Sequence, residues 1–285
     1  MTEEVDAIVK AINGLQQDGG YFKDYIFPIA SAFFTSILGA VIAYITIKNQ
    51  DIKASERLKL NSVNKWILLI EEARATLLAI KGNYHEGLSE NPIERLSNVH
   101  EILFYANPIT ERYEALAFIA AKTKGTKLQK WGDIPRIRAM VNNYNYLLKL
   151  WDERNKLDRP IRQKIISTFS EGKAGATVNT DDIVECVGIA DICMLINLTE
   201  RVIKLTDDLI VEQNDFLVHF PRYAKTLIKI DKINDYGSVL NYSNNGNEKL
   251  LKLLEKSNKP SFESVEKIFE MKSDEIAKMH FTGYE

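Results

Sequence analysis

The chain has 285 residues, and its 37 lysine and arginine residues nearly balance 39 aspartate and glutamate residues, for a net charge of −2. This length is enough for one large domain or two smaller ones, each with its own core. The two cysteines, Cys186 and Cys193, lie seven residues apart on one predicted helix. That spacing excludes a disulfide within the helix and fits a reducing compartment.

The first segment, residues 1–24, is predicted to be short and amphipathic. Its apolar residues recur at helical spacing: Val5, Ile8, Val9, Ile12 and Leu15. Gly19 and Gly20 end the pattern. Two interpretations are open: a helix that rests on the lipid interface, or a lid at the outer mouth of an oligomer.

Residues 25–47 carry the strongest signal in the chain. This run of 23 residues contains no charged side chain and is bounded by Asp24 and Lys48. A helix of this length reaches about 34 Å, compared with about 30 Å for the hydrocarbon core of a bilayer. A cleaved signal peptide would have a basic lead-in and a shorter apolar run, whereas this lead-in is acidic. We therefore predict a retained transmembrane helix.

Small residues recur along the predicted span on two adjacent ridges. In lipid, such ridges let helices approach closely, so the pattern predicts a homo-oligomer. The six positions are Ala32, Thr35, Ser36, Gly39, Ala40 and Ala43. Glycine and alanine are also common in spans that do not associate, which leaves a simple anchor as the alternative.

The distribution of basic residues predicts the orientation of the span. Five basic residues follow it closely and two precede it: Lys48, Lys53, Arg57, Lys59 and Lys65 against Lys10 and Lys23. Because cytoplasmic flanks carry the excess of lysine and arginine, we predict that the N-terminus is outside and that the larger part is cytoplasmic.

The remaining chain is predicted to be helical. Residues 48–173 would form a helical stalk and a first helical part, and residues 174–285 a second one, divided at a glycine-rich loop. A helix is predicted to continue from the span to about residue 82. Further helices are predicted at about 92–105, 108–121, 133–156, 180–217, 221–234, 247–257 and 261–280, with a shorter one after Pro160. No alternating strand pattern occurs, so the predicted fold class is all-α.

Charge in this part is strongly segregated. Residues 122–173 carry 13 basic and 5 acidic residues, a charge of +8, while residues 174–285 carry −6. Basic side chains can bind phosphates and aromatic faces can stack on bases, so this basic block is a candidate nucleotide or oligonucleotide site. The candidate residues are Lys122, Lys124, Lys127, Lys130, Trp131, Arg136, Arg138, Arg154, Arg159 and Arg162. Three other interpretations are open: pairing with the acidic third of the chain, contact with anionic lipid, and an ordinary solvated face.

No motif indicates catalysis. The four histidines form neither the HExxH pattern nor a cysteine and histidine spacing that would bind zinc. Gly172 and Lys173 lack the order of a phosphate-binding loop. We predict no enzyme, no metal site and no cofactor, although a catalytic set built from distant residues would not be visible in spacing.

The sequence FFTSILGAVIAYITIKNQ, followed by KLNSVNKWILLIEEARATLLAIKGNY, resembles bacterial membrane-anchored helical proteins of anti-phage defence. The nearest class is the transmembrane effectors of nucleotidyltransferase-linked defence, such as the Hailong-type effector. The resemblance covers about residues 20–85 and is architectural. It implies an inner-membrane oligomeric channel that a nucleic-acid-like signal from a partner nucleotidyltransferase opens or restrains. It assigns no ligand residues.

These observations predict a single-pass membrane effector whose cytoplasmic helical domain senses a ligand or partner and controls an oligomeric pore. An anchored adaptor that conducts nothing and recruits a cytoplasmic protein is the alternative. A membrane-tethered enzyme is a third possibility.

Overall fold

The computed structural model describes residues 6–7, 9–10, 20, 22–120, 129–169, 178–244 and 247–284. The chain divides into two compact units, Met1–Arg57 and Leu58–Glu285. No strand occurs among the described residues, so the all-α prediction is confirmed for them. Most of the amphipathic helix predicted near the N-terminus falls outside these residues.

Nine α-helices make up most of the described structure. They are α1 (Phe27–Gly82), α2 (Pro92–Asn98), α3 (Ala117–Ala120), α4 (Ile134–Phe169), α5 (Thr180–Val187), α6 (Ile189–Lys225), α7 (Glu248–Leu254), α8 (Glu266–Phe269) and α9 (Ser273–Lys278). A π-helical turn at Phe22–Ile26 precedes α1. Short 3-10 turns lie at His85–Gly87, Tyr113–Leu116, Lys130–Gly132, Ile230–Lys232 and Phe262–Val265.

The first unit presents the apolar part of α1 without covering it. Phe33 and Phe34 are 64% and 70% exposed, and the other large apolar side chains of the segment are exposed as well. Lys23–Gly87 is the one helical stretch among the described residues that is long and apolar enough to cross a membrane, by length and composition alone. The Thr35 hydroxyl donates to the Ser31 carbonyl at 2.7 Å, so this polar side chain is bonded to its own helix.

The core of the second unit lies between α1, α4 and α6. Trp66 of α1, Trp151 of α4 and Phe216 of α6 are each fully buried. Trp151 Nε1 donates to Thr206 Oγ1 at 3.1 Å, which satisfies the one polar atom of this indole. The apolar stripe predicted for the end of α1 is buried throughout: Val63, Trp66, Ile67, Ile70, Ala73, Leu77 and Ile80.

A second, smaller core joins α2, α5, the start of α6 and the C-terminal turns. It contains Ile93, Ile192 and Phe262. The break between α5 and α6 lies at Gly188, whose φ of 101° and ψ of 142° suit glycine alone. The sequence predicts one helix across this point, and that prediction was wrong because the single glycine redirects the chain.

The predicted helices at 92–105 and 108–121 are largely replaced by extended chain after Asn98. The cause lies in two side-chain amides of α4. Asn155 Nδ2 donates to the Ile102 carbonyl at 2.9 Å and Oδ1 accepts from the Ile102 amide at 3.4 Å. Asn145 makes the same pair of bonds to Ile109, at 2.9 and 2.8 Å. These bonds take the place of helical ones, so the segment follows α4 instead of coiling.

Other differences from the predicted helices concern prolines. α4 continues through Pro160 and α6 through Pro221, although an interior proline removes one hydrogen bond. Residues 221–225, which the sequence predicts to begin a separate helix, instead form the end of α6.

The sequence also places a division near residue 173. In the structure α4 precedes this point and α6 follows it, and both helices contribute to the core of the unit Leu58–Glu285.

Candidate functional site

The basic block was the site expected from the sequence, and part of it pairs with acidic residues of α6. Lys130 Nζ lies 2.9 Å from Glu212 Oε2 and 2.7 Å from Asp215 Oδ2. Arg136 Nε lies 2.8 Å from Glu212 Oε1. Burial raises the pKa of Asp215, but hydrogen bonds from Lys130 and Trp131 outweigh this and lower it overall. The intramolecular pairing considered for the block therefore occurs at these two residues.

Trp131 and Arg154 lie in the core. Trp131 is 2% exposed, packs edge-on against Phe216 and donates from Nε1 to Asp215 Oδ2 at 2.9 Å. This burial differs from the open ring that base stacking would need. Arg154 is fully buried, and its Nη1 donates to the His100 carbonyl at 3.1 Å. Desolvation lowers its pKa to about 10. Both residues hold the fold together.

Two further candidates, Arg159 and Arg162, lie with Arg154 at the segment 96–101. Arg159 pairs with Glu101, and Arg162 Nε donates to Asp158 Oδ2 at 3.1 Å while its Nη2 donates to the Leu96 carbonyl at 2.8 Å. Arg138 is exposed on α4. The remaining three candidates, Lys122, Lys124 and Lys127, lie outside the described residues. Within the described part, the block does not form one continuous cationic face.

A different cluster of charged residues surrounds a pocket of about 460 Å³. We call it the charged pocket. One wall is the face of α6 that carries Glu200, Ile203, Lys204, Asp207 and Asp208. The other walls are Arg95 of α2, the segment 256–260, and Phe262, Ala277 and His280 near the C-terminus. The spacing of Glu200, Ile203, Lys204 and Asp207 places them on one side of the helix.

Two buried ion pairs involve residues that line the charged pocket. Arg95 Nη1 lies 2.8 Å from Glu200 Oε2, with both side chains almost completely buried. Lys81 Nζ lies 2.7 Å from Asp207 Oδ1, at 2% and 5% exposure. Ions removed from water in this way are tolerated only when they are paired and hydrogen-bonded.

The same residues fasten the segment 255–260 onto α6. Arg95 donates from Nη2 to the Asn258 carbonyl at 2.5 Å, and the Ser257 amide donates to Asp207 Oδ2 at 2.7 Å. Lys256 Nζ lies 2.5 Å from Asp208 Oδ1, and Lys81 also donates to the Glu255 carbonyl. The pocket wall is therefore held by charge-assisted bonds, which are stronger than neutral ones.

One carboxylate in the charged pocket is incompletely satisfied. Glu200 Oε1 is buried and has no hydrogen-bond partner within the described part of the chain, although Oε2 accepts from Arg95. Burial raises the pKa of Glu200 to about 7, and the opposing effect of Arg95 is weaker. A strongly perturbed carboxyl group in a concave site is a recognised sign of a functional position.

His280 also lines the charged pocket and is neutral at pH 7. Its ring stacks on Phe262 with centroids 5.2 Å apart, and Nε2 lies 3.0 Å from Asn197 Oδ1. Burial lowers its pKa to about 4. Among the described residues, no group of three histidine, cysteine, aspartate or glutamate side chains is arranged to bind a metal ion.

Sequence reasoning missed the charged pocket because its residues come from distant parts of the chain. One signal was available: Glu200, Asp207 and Asp208 interrupt the apolar side of a helix that is otherwise rich in leucine and isoleucine. Acidic residues at core positions are rare unless they are paired, so they indicate buried cations nearby. Arg95 and Lys81, which supply those cations, carry no such signal.

The six small residues of the predicted helix contact surface lie on the exposed part of α1. Ala32, Thr35, Ser36, Gly39, Ala40 and Ala43 are all exposed. A Cβ atom built at Gly39 meets nothing within 4 Å. The ridges are thus accessible to another helix, which is what the predicted self-association requires.

Comparison with known proteins finds no matching family model, no matching curated protein and no matching solved structure.

Proposed function

We propose that this protein is a single-pass membrane effector, in which the segment 25–47 crosses the bilayer and the unit Leu58–Glu285 controls an oligomer of spans. The observation that carries the proposal is the exposure of this segment. Its large apolar side chains lie uncovered over 23 residues without a charge. Such a surface is stable in lipid and unfavourable in water.

The second unit would act as the cytoplasmic sensor. It offers a pocket lined by charged residues, and its polar residues at the pocket are held by buried ion pairs. The orientation follows the excess of basic residues after the span. The resemblance to defence effectors supports a nucleotide or oligonucleotide signal, a partner nucleotidyltransferase and a role in phage defence.

An anchored adaptor that conducts nothing is the second candidate, and one surface feature favours it. Leu103 and Tyr105 are 85% and 90% exposed on the extended segment after α2. Tyrosine is enriched at protein interfaces, and exposed apolar side chains that lie close together are suitable contacts for a partner protein.

Flux across reconstituted membranes tests the effector. The purified full-length protein is placed in liposomes loaded with a small fluorescent ion, and release is recorded without any partner and then with candidate ligands. The proposal expects release above protein-free liposomes in at least one of these conditions. It also expects release to fall at least tenfold for the double variant Gly39→Leu with Ala43→Leu, because bulky residues keep the helices apart.

The matched control is Leu38→Ile with Ile42→Leu, which changes a neighbouring ridge of the same helix without altering its bulk. This variant should behave as the native chain. Absence of release in every condition, together with a monomeric mass in detergent, would reject the effector and favour the adaptor.

A further inference from the structure

The charged pocket has the features of a ligand site that the basic block lacks. We propose that it binds a small molecule that carries an anionic group, an apolar body and an N–H or O–H donor. This inference rests on the proposal that the unit Leu58–Glu285 is a sensor, and it names the chemistry that the sensor recognises.

The donor requirement follows from Glu200. This side chain lines the pocket at 3% exposure, and its Oε1 lacks a hydrogen-bond partner among the described residues. A buried polar atom without a hydrogen-bond partner is unfavourable. Arg95 occupies only Oε2, at 2.8 Å. A ligand that donates to Oε1 would complete the hydrogen bonding of this carboxyl group.

The Ser257 hydroxyl is a second polar group in the same position. It lines the pocket, is buried, and has no hydrogen-bond partner within the described residues. Because a hydroxyl can donate and accept, it can meet either kind of polar atom on the ligand. Two residues with an unpartnered polar atom, one from α6 and one from the segment after α7, therefore line one cavity.

The anionic requirement follows from the balance of charge around the pocket. The lining side chains include the cations Arg95, Lys204, Lys256 and Lys259 and the anions Glu200, Asp207 and Asp208. The lining therefore has four cations and three anions. His280 is neutral and does not alter this balance. A net positive, partly enclosed site attracts and retains an anion.

The apolar body follows from the remaining walls. Ile203, Pro260, Phe262 and Ala277 contribute carbon surface next to the charged base. The volume, about 460 Å³, lies within the range of small-molecule sites and is too small for a folded partner. Mononucleotides and aromatic amino acids are two common sources of an apolar body with a donor and an anionic group.

The experiment measures binding directly, using the full-length protein in detergent micelles. Isothermal titration and thermal shift are recorded with the four ribonucleoside monophosphates, with tryptophan, tyrosine and phenylalanine, and with adenosine and indole as uncharged counterparts. We expect saturable binding of at least one probe that carries an anionic group. Where AMP or tryptophan binds, adenosine or indole, respectively, should bind at least tenfold more weakly. Nucleotide binding without amino-acid binding, or the reverse, identifies the source.

Two pairs of variants place the binding in the charged pocket. Ala277→Trp fills the cavity from an exposed helix position, and Glu275→Trp adds the same bulk to the same helix outside the lining. Lys259→Glu reverses a charge of the lining, and Lys249→Glu makes the same change on α7 away from it. Binding should weaken at least tenfold in the first member of each pair and stay within twofold in the second.

The outcomes separate this inference from the proposed function. If none of the probes binds at 5 mM, or if Ala277→Trp binds as tightly as the native chain, the pocket is not the site and the inference is overturned. If Ala277→Trp and Lys259→Glu both weaken binding, the inference is supported even when liposomes show no flux. In that case the effector proposal alone fails, and the ligand controls an adaptor.

Discussion

Lys81 near the end of α1 and Asp207 in the middle of α6 form an ion pair that is almost completely shielded from water, with Nζ 2.7 Å from Oδ1. Each residue also has a hydrogen bond to the segment 255–260. Lys81 donates to the Glu255 carbonyl, and Asp207 accepts from the Ser257 amide. The pair thus connects three parts of the chain that are 48 or more residues apart.

The first prediction concerns this pair. Lys81→Met should lower the free energy of unfolding by about 3–5 kcal/mol, because Asp207 would remain buried without its cation. Thermal melting of the full-length protein in detergent measures the loss. Lys65→Met is the matched control, since Lys65 is largely exposed and pairs with Glu111 at the surface, and it should change the melting temperature much less.

Replacing both partners separates charge burial from lost packing. Lys81→Met combined with Asp207→Leu removes both charges and should recover much of the stability that Lys81→Met loses. A double variant no more stable than Lys81→Met would show that the remaining hydrogen bonds of these residues, not the buried charge, hold the segment in place.

The second prediction is a pH dependence caused by Glu200. Its pKa is raised to about 7 in the folded chain, above its ordinary value near 4.5. The folded state therefore binds a proton that the unfolded state has released, and this contribution to stability is lost as the pH rises from about 4.5 to about 7. The native protein should lose stability relative to Glu200→Gln over this range.

His280 titrates with the opposite sign, so the comparison must be made between variants. Its pKa is lowered to about 4, which adds stability as the pH rises from about 4 to about 6.5. Because His280 is present in both proteins, its effect cancels in the difference between their melting temperatures. A difference that stays constant from pH 4.5 to 8 would contradict the raised pKa of Glu200.

The third prediction assigns Lys130 and Arg136 to stability. Each ion pair with Glu212 is partly exposed, so Lys130→Ala and Arg136→Ala should each cost roughly 1 kcal/mol. The double variant should cost more than either, because Glu212 would lose both cations while its side chain is only 9% exposed. Thermal melting provides the measurement.

Arg138→Ala is the control for these variants, as Arg138 is an exposed residue of the same helix. Its melting temperature should be the same as that of the native chain. Binding of a short single-stranded oligonucleotide is measured in parallel at 50 mM salt. If Lys130→Ala and Arg136→Ala left stability unchanged but weakened such binding, the pairs with Glu212 would be secondary to a ligand role.

The fourth prediction concerns orientation in the membrane. In a chain with Cys186 and Cys193 replaced by serine, Thr2→Cys should react with an impermeant thiol reagent applied to intact cells, and Lys249→Cys should react only after lysis. The reason is the excess of basic residues after the span. The opposite labelling pattern would place the helical unit outside and reject a cytoplasmic sensor.

Much of the fold follows from local patterns in the sequence. The run at residues 25–47 and the stripe from Val63 to Ile80 each predict a part of α1, because apolar periodicity reports the face that must be covered. Asn91 behaves as its position before Pro92 indicates, with its side chain accepting from the Ile93 amide at 3.0 Å. These features depend on neighbours within one helical turn.

What could not be predicted depends on contacts between distant residues. Asn107 and Pro108 have the same local signal as Asn91 and Pro92, yet Asn145 and Asn155 of α4 hold that segment extended. Likewise, the charges of Trp131's neighbours suggest a surface, but Phe216 and Asp215 of α6 bury this indole. These two partners of Trp131 lie about 85 residues away from it in the sequence, which is beyond the reach of any periodic pattern.

Gly188 offers a way to recognise distant relatives. With φ of 101° and ψ of 142°, any residue with a Cβ would be strained there, even though a Cβ would meet no atom within 4 Å. A homologue that retains the same bend must therefore keep glycine between its two helices. This position, followed by acidic residues 12 and 19 places later at Glu200 and Asp207, makes a spacing that can be searched for when overall similarity has disappeared.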